Sequence, residues 1–101
     1  MSEKDVVFVN VLEVEPARQP EVVGLLKEAT ESVIRRREGF RSSVILASLD
    51  ASRVINVARW QSAEAIKATQ SDPSAAEYAK RLQAIAKPSP AVYAIVGEYG
   101  A

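Results

Sequence analysis

Residues 6–15 are apolar on both faces of what their β-branched composition marks as a strand. Successive strand side chains point to opposite sides. One side takes Val7, Val9 and Val11; the other takes Val6, Phe8, Asn10, Leu12 and Val14. Such a strand must be covered on both sides.

Local signals set out the remaining elements. Pro16 ends the strand, and Pro20 suits the first turn of a helix with Glu21 near its positive end. Val22, Leu26, Ala29 and Val33 then recur at helical spacing, widened by Val23 and Leu25. Arg35, Arg36 and Arg37 are expected in its last turn, with Gly39 as the left-handed stop. Residues 40–49 and 53–60 read as strands joined by a turn at Asp50, Ala51 and Ser52. Ser62 caps a short helix to about residue 70, and Asp72-Pro73 opens another to about residue 86. Residues 87–90 read as a loop and 91–98 as a fourth strand.

The order is β-α-β-β-α-β with the second helical region split, which is that of a ferredoxin-like α+β sandwich. Its first and third strands are central neighbours, so Asn10 and Asn56 are expected side by side. The helices cover one sheet face only. The other, with Val7, Val9, Val11, Ile55 and Val57, needs a partner. A sheet-to-sheet homodimer, a dimeric α+β barrel, is the simple solution, with Tyr93 and Tyr99 as candidate contacts. Residues 1–101 show no repeat or linker and read as one domain.

Charge and composition exclude several functions. Thirteen basic residues balance thirteen acidic ones, which disfavours a nucleic-acid partner. No apolar run is long enough to cross a bilayer, and the polar start shows no secretory signal. The absence of cysteine rules out a disulfide scaffold and fits a cytoplasmic location.

The sharpest candidate for chemistry is the third strand. Alternation places Asn56, Ala58 and Trp60 on one face: an amide, a gap and an aromatic plate. With no histidine and no cysteine, the chain has no imidazole base, thiolate or usual soft-metal ligand. A site here works through hydrogen bonding, shape and the reactivity of its substrate. The same residues also admit packing roles. An asparagine in a strand is often a satisfied polar group, and a tryptophan at a strand end is often core.

Several short stretches together resemble the antibiotic biosynthesis monooxygenase family over most of the chain, from Val7 to Tyr99. They are Phe8-Val9-Asn10-Val11, Glu38-Gly39-Phe40, Ser48-Leu49-Asp50, and Asn56-x-x-x-Trp60 followed by Gln61-Ser62-x-Glu64-Ala65. The chain departs from the family at Ala51, where glycine is common, and at Glu38, where proline often stands. It also has Ile66 where some members place a tyrosine.

The resemblance implies oxygenation by O2 with no metal, flavin or other cofactor. It implies a polyketide-type phenol, anthrone or quinol as substrate and a quinone as product. The family's pocket asparagines and tryptophan carry over to Asn10, Asn56 and Trp60 as the catalytic candidates. Phe8, Ala58, Tyr78 and Arg81 are the substrate-binding candidates. Tyr78 and Arg81, three apart on the last helix, would close the pocket, although a solvated helix face accounts for Arg81 more simply. Two alternatives stay open: a non-catalytic dimeric domain that binds a small molecule, and haem degradation. The second is disfavoured, because members that degrade haem generally use a histidine as iron ligand.

Overall fold

A computed structural model describes residues 4–101. The polar start of the chain, read above as no signal, falls largely on residues 1–3, outside the described residues. The elements are β1 (Val6–Glu13), α1 (Gln19–Ser32), β2 (Phe40–Ala47), β3 (Arg53–Trp60), α2 (Ala63–Gln70), α3 (Pro73–Gln83) and β4 (Lys87–Ala94). All strand pairs are antiparallel, in the order β2-β3-β1-β4. This is the ferredoxin-like α+β class expected from the sequence. Among the described residues, no helix is long and apolar enough to cross a membrane.

β1 and β3 are central neighbours, and Asn10 lies directly opposite Asn56. The helices pack on the face that carries them. Leu12 and Val54 meet Val22 and Leu26 of α1 and Leu82 of α3 in one cluster. Ala58 and Trp60 meet Ile66 of α2 in a second, joined by Ile34 and Phe40. The opposite face is open, leaving Val44, Leu46 and Tyr93 about half exposed.

Local chemistry fixes most boundaries. Ser62 Oγ accepts the Ala65 N–H at 3.1 Å, and Asp72 Oδ2 accepts the Ala75 N–H at 3.1 Å. Each satisfies a donor that the first helical turn leaves unpaired. In the β2–β3 turn, Asp50 Oδ1 accepts the Ser52 hydroxyl at 2.7 Å and the Ser52 N–H at 2.9 Å. These bonds, the Ser52 hydroxyl first, lower the Asp50 carboxyl to about 2. They hold a turn in which Ala51 sits at φ 64°.

The structure corrects three local expectations. α1 ends at Ser32, well short of Gly39, because Val33 leaves the helical region (φ −130°, ψ −60°). A single 3-10 turn, Ile34–Arg36, then turns Ile34 into the cluster around Trp60. Arg37 is more than a helix-end charge. Its Nη2 donates to the Ala68 carbonyl at 3.2 Å and its Nη1 lies 3.6 Å from Asp72, tying this turn to the α2–α3 junction.

The last helix stops at Gln83, and the fourth strand begins at Lys87 in the stretch expected as a loop. Residues 95–101 lie outside it. β4 is an edge strand, where proline nitrogens facing outward break no pairing. Pro88 and Pro90 lie opposite Leu12 and Asn10 of β1.

A further feature had no sequence signal. The β2–β3 register slips between Phe40 and Ser42. Such a bulge reverses which face later residues occupy. It lets Phe40 share the helix-covered face with Ile45, opposite Trp60 and Asn56 respectively.

Candidate active site

Between the sheet and the helices lies a cavity of about 290 Å³. Its floor is Phe8 and Asn10 from β1 and Asn56, Ala58 and Trp60 from β3. Helices α1, α2 and α3 form the roof through mostly apolar side chains, and Pro88 and Pro90 of β4 close one side. The floor follows from strand alternation. Each residue is two positions from the next, and the register puts Phe8 beside Ala58 and Asn10 beside Asn56.

Trp60 is 3% exposed and meets the Phe40 ring edge-on, with centroids 5.4 Å apart. That contact holds the indole as a fixed wall. Ala58 is equally buried, and its small side chain leaves space between Asn56 and Trp60.

The polar content of the cavity is sparse and neutral. No Asp, Glu, Lys or Arg lines it. The Thr30 hydroxyl donates to the Leu26 carbonyl at 2.8 Å, and the Thr69 hydroxyl donates to the Ala65 carbonyl at 2.9 Å and accepts from Arg37 Nε at 3.4 Å. The asparagines differ. Asn10 Oδ1 accepts the Ser89 N–H at 3.1 Å. Asn56 Oδ1 is buried with no partner. An unpaired buried acceptor costs roughly 1–3 kcal/mol.

The remaining candidates part ways. Tyr78 lines the cavity, but its hydroxyl donates to Glu28 Oε2 of α1 at 2.7 Å. This bond to the Glu28 carboxylate raises its pKa and keeps it protonated. Tyr78 therefore offers the cavity its ring. Arg81 lies outside the lining and is half exposed, with Nη1 3.5 Å from the same Glu28 oxygen and its guanidinium 5.3 Å from the Tyr78 ring centre.

Sequence reasoning missed Pro88, Ser89 and Pro90, because prolines suggested a loop. The available signal was their parity: Pro88, Pro90 and Val92 alternate as one strand face does. Among the described residues, no group of three or more His, Cys, Asp or Glu side chains is placed to hold a metal. The polar means of the cavity are thus amides meeting ligand oxygens, beside an aromatic wall.

Comparison with known proteins agrees with this geometry. Residues 5–89 match the antibiotic biosynthesis monooxygenase family. The chain is 31% identical over 94 residues to the tetracenomycin-F1 monooxygenase of Streptomyces glaucescens, covering 93% of this chain and 84% of that protein. The crystal structure of the ActVA-Orf6 monooxygenase of Streptomyces coelicolor, in complex with nanaomycin D, superposes with a TM-score of 0.87 at 28% identity, covering 97% of this chain and 93% of that one. SnoaB of Streptomyces nogalater, a cofactor-independent oxygenase, shares the fold with a TM-score of 0.79 at 22% identity, covering 95% and 97%. With the family matched across most of its length and a relative 31% identical over 93% of it, the chain belongs to the antibiotic biosynthesis monooxygenase family.

Proposed function

We propose that this protein uses O2 to oxidise an aromatic phenol, anthrone or quinol to a quinone without a cofactor. The carrying observation is a neutral, largely apolar cavity whose floor sets Asn10 and Asn56 side by side, with Trp60 nearby on the same face. The nanaomycin D bound by the ActVA-Orf6 monooxygenase supports a small polyketide-type ligand.

The substrate supplies the electrons that a cofactor otherwise would. An anthrone ionises to a delocalised anion, losing its proton to water or to another substrate oxygen. The anion gives one electron to O2, leaving a substrate radical and superoxide. These combine through a new C–O bond as a peroxide. Cleavage of the O–O bond with loss of the remaining C–H proton releases water and leaves the quinone carbonyl. Anthrone and O2 thus become quinone and water. Asn10 and Asn56 donate to the oxygen that gains charge, as an oxyanion hole does. Trp60, Phe8 and the Tyr78 ring hold the flat substrate, and Ala58 gives it room. No residue of the cavity floor is a strong base, which suits a substrate that is already acidic.

The test is an aerobic assay of purified, metal-stripped protein with dithranol. Quinone absorbance is expected to rise faster than in the uncatalysed control. An unchanged rate across a panel of anthrones, phenols and quinols, with the protein folded, leaves the non-catalytic binding domain as the better reading.

The same reading includes a homodimer. A second copy on the open sheet face would cover Val7, Val9, Val11, Ile55 and Val57, together with the exposed Val44, Leu46 and Tyr93. Apolar faces of this extent are rarely left to water. Light scattering is expected to give twice the 11.0 kDa chain mass, falling to one chain for Val57→Asp. A wild-type protein monomeric at micromolar concentration overturns it.

A further inference from the structure

The two amides on the cavity floor are held differently. Asn10 Oδ1 accepts the main-chain N–H of Ser89. A main-chain N–H can meet only the oxygen of a carboxamide, because the NH2 group is a donor. The end of Asn10 left for the cavity is therefore Nδ2. The prolines on either side of Ser89 have no N–H, so this is the one main-chain donor of the tripeptide. Strand N–H groups alternate sides. Since that of Ser89 turns toward β1, the nitrogens of Pro88 and Pro90 lie on the open edge. Asn56 has no such anchor, and its Oδ1 is buried and unpaired.

We infer that Ser89 is a positioning residue that fixes Asn10 as a permanent donor into the cavity. This rests on the cavity being the substrate site. Asn10 Nδ2 donates to a ligand oxygen throughout. Directly opposed residues of antiparallel strands have Cα atoms about 4.5–5.5 Å apart, so both amides reach neighbouring oxygens of one ring system.

The experiment has two readouts on the full chain. A long-range HNCO spectrum of wild type is expected to correlate the Ser89 amide with the side-chain carbonyl carbon of Asn10. Its absence, with the corresponding peaks of the sheet visible, overturns the inference whether or not any ligand binds.

The second readout is quenching of Trp60, the sole tryptophan, by danthron, a dihydroxyanthraquinone. Asn10→Asp keeps the acceptor for Ser89 but turns a charged acceptor to the ligand. It is expected to bind about tenfold more weakly than wild type at neutral pH. Affinity should recover as pH falls through the titration of the new carboxyl, which then donates; Asn10→Ala should show no recovery. Equal affinity of Asn10→Asp and wild type at neutral pH overturns the inference. Failure of wild type to bind danthron, with the Ser89 correlation present, instead counts against the cavity as the substrate site.

Discussion

Asn56→Ala is expected to lower the rate of quinone formation by about 100- to 1000-fold, the usual loss when one oxyanion donor is removed. The fall should appear in kcat and in kcat/KM alike, because the oxygen gains charge mainly in the transition state. Stability should not fall with it. Truncating a buried side chain ordinarily destabilises, through the cavity it leaves. Here the deletion also removes a buried oxygen with no partner. The cost of that orphaned acceptor, roughly 1–3 kcal/mol, disappears with it and offsets the lost packing. The expected signature is therefore a crippled enzyme whose melting temperature stays close to that of wild type. A residue that merely packs gives the reverse, lower stability with activity retained. Steady-state kinetics beside thermal melts of the same preparations separate the two. Activity within a factor of a few of wild type removes Asn56 from the proposed chemistry.

The pairing of Asn10 with Asn56 was legible because it depends only on element order and strand alternation. The order β-α-β-β-α-β makes the first and third strands neighbours, and alternation puts both amides on the helix-covered face. The helix starts at Ser62 and Asp72 were legible for a similar reason, since a cap acts within one turn. What stayed hidden depends on contacts distant in sequence. Pro88 and Pro90 look like loop until a neighbouring strand is present on one side only. The slip at Arg41 leaves no local mark, yet it decides that Phe40 stands against Trp60. Arg81 and Tyr78 share a helix face, but Glu28, fifty residues before Tyr78, holds the hydroxyl and pairs with Arg81. The anchoring of Asn10 by Ser89 spans an even longer separation.

Gly39→Ala should be the most damaging glycine-to-alanine change in the chain, and its effect should reach the site. Gly39 enters β2 at φ 90°, a conformation that costs an L-residue roughly 1–2 kcal/mol. A Cβ there would lie 2.6 Å from the Cβ of Ala65, near the start of α2. Neither atom is the end of a flexible side chain, so backbone must move, at a further cost of about 1–3 kcal/mol. The Gly39 carbonyl also accepts the Gln61 N–H at 2.7 Å, fixing the chain between Trp60 and the Ser62 cap. The sum, roughly 2–5 kcal/mol, is a large part of the 5–15 kcal/mol that holds a typical domain together. For a chain of this size it predicts a fall in melting temperature of at least ~10 °C. Displacing this junction also shifts Phe40 against Trp60, so indole fluorescence should change in the folded variant. Gly24→Ala is the control. Gly24 lies within α1 with nothing within 4 Å of an added Cβ, and helix propensity alone should stabilise by roughly 0.5–1 kcal/mol. Melting temperatures that move in opposite directions for the two variants support the close approach at Gly39. A Gly39→Ala protein that melts within about 2 °C of wild type would mean that β2 and α2 do not meet there as described.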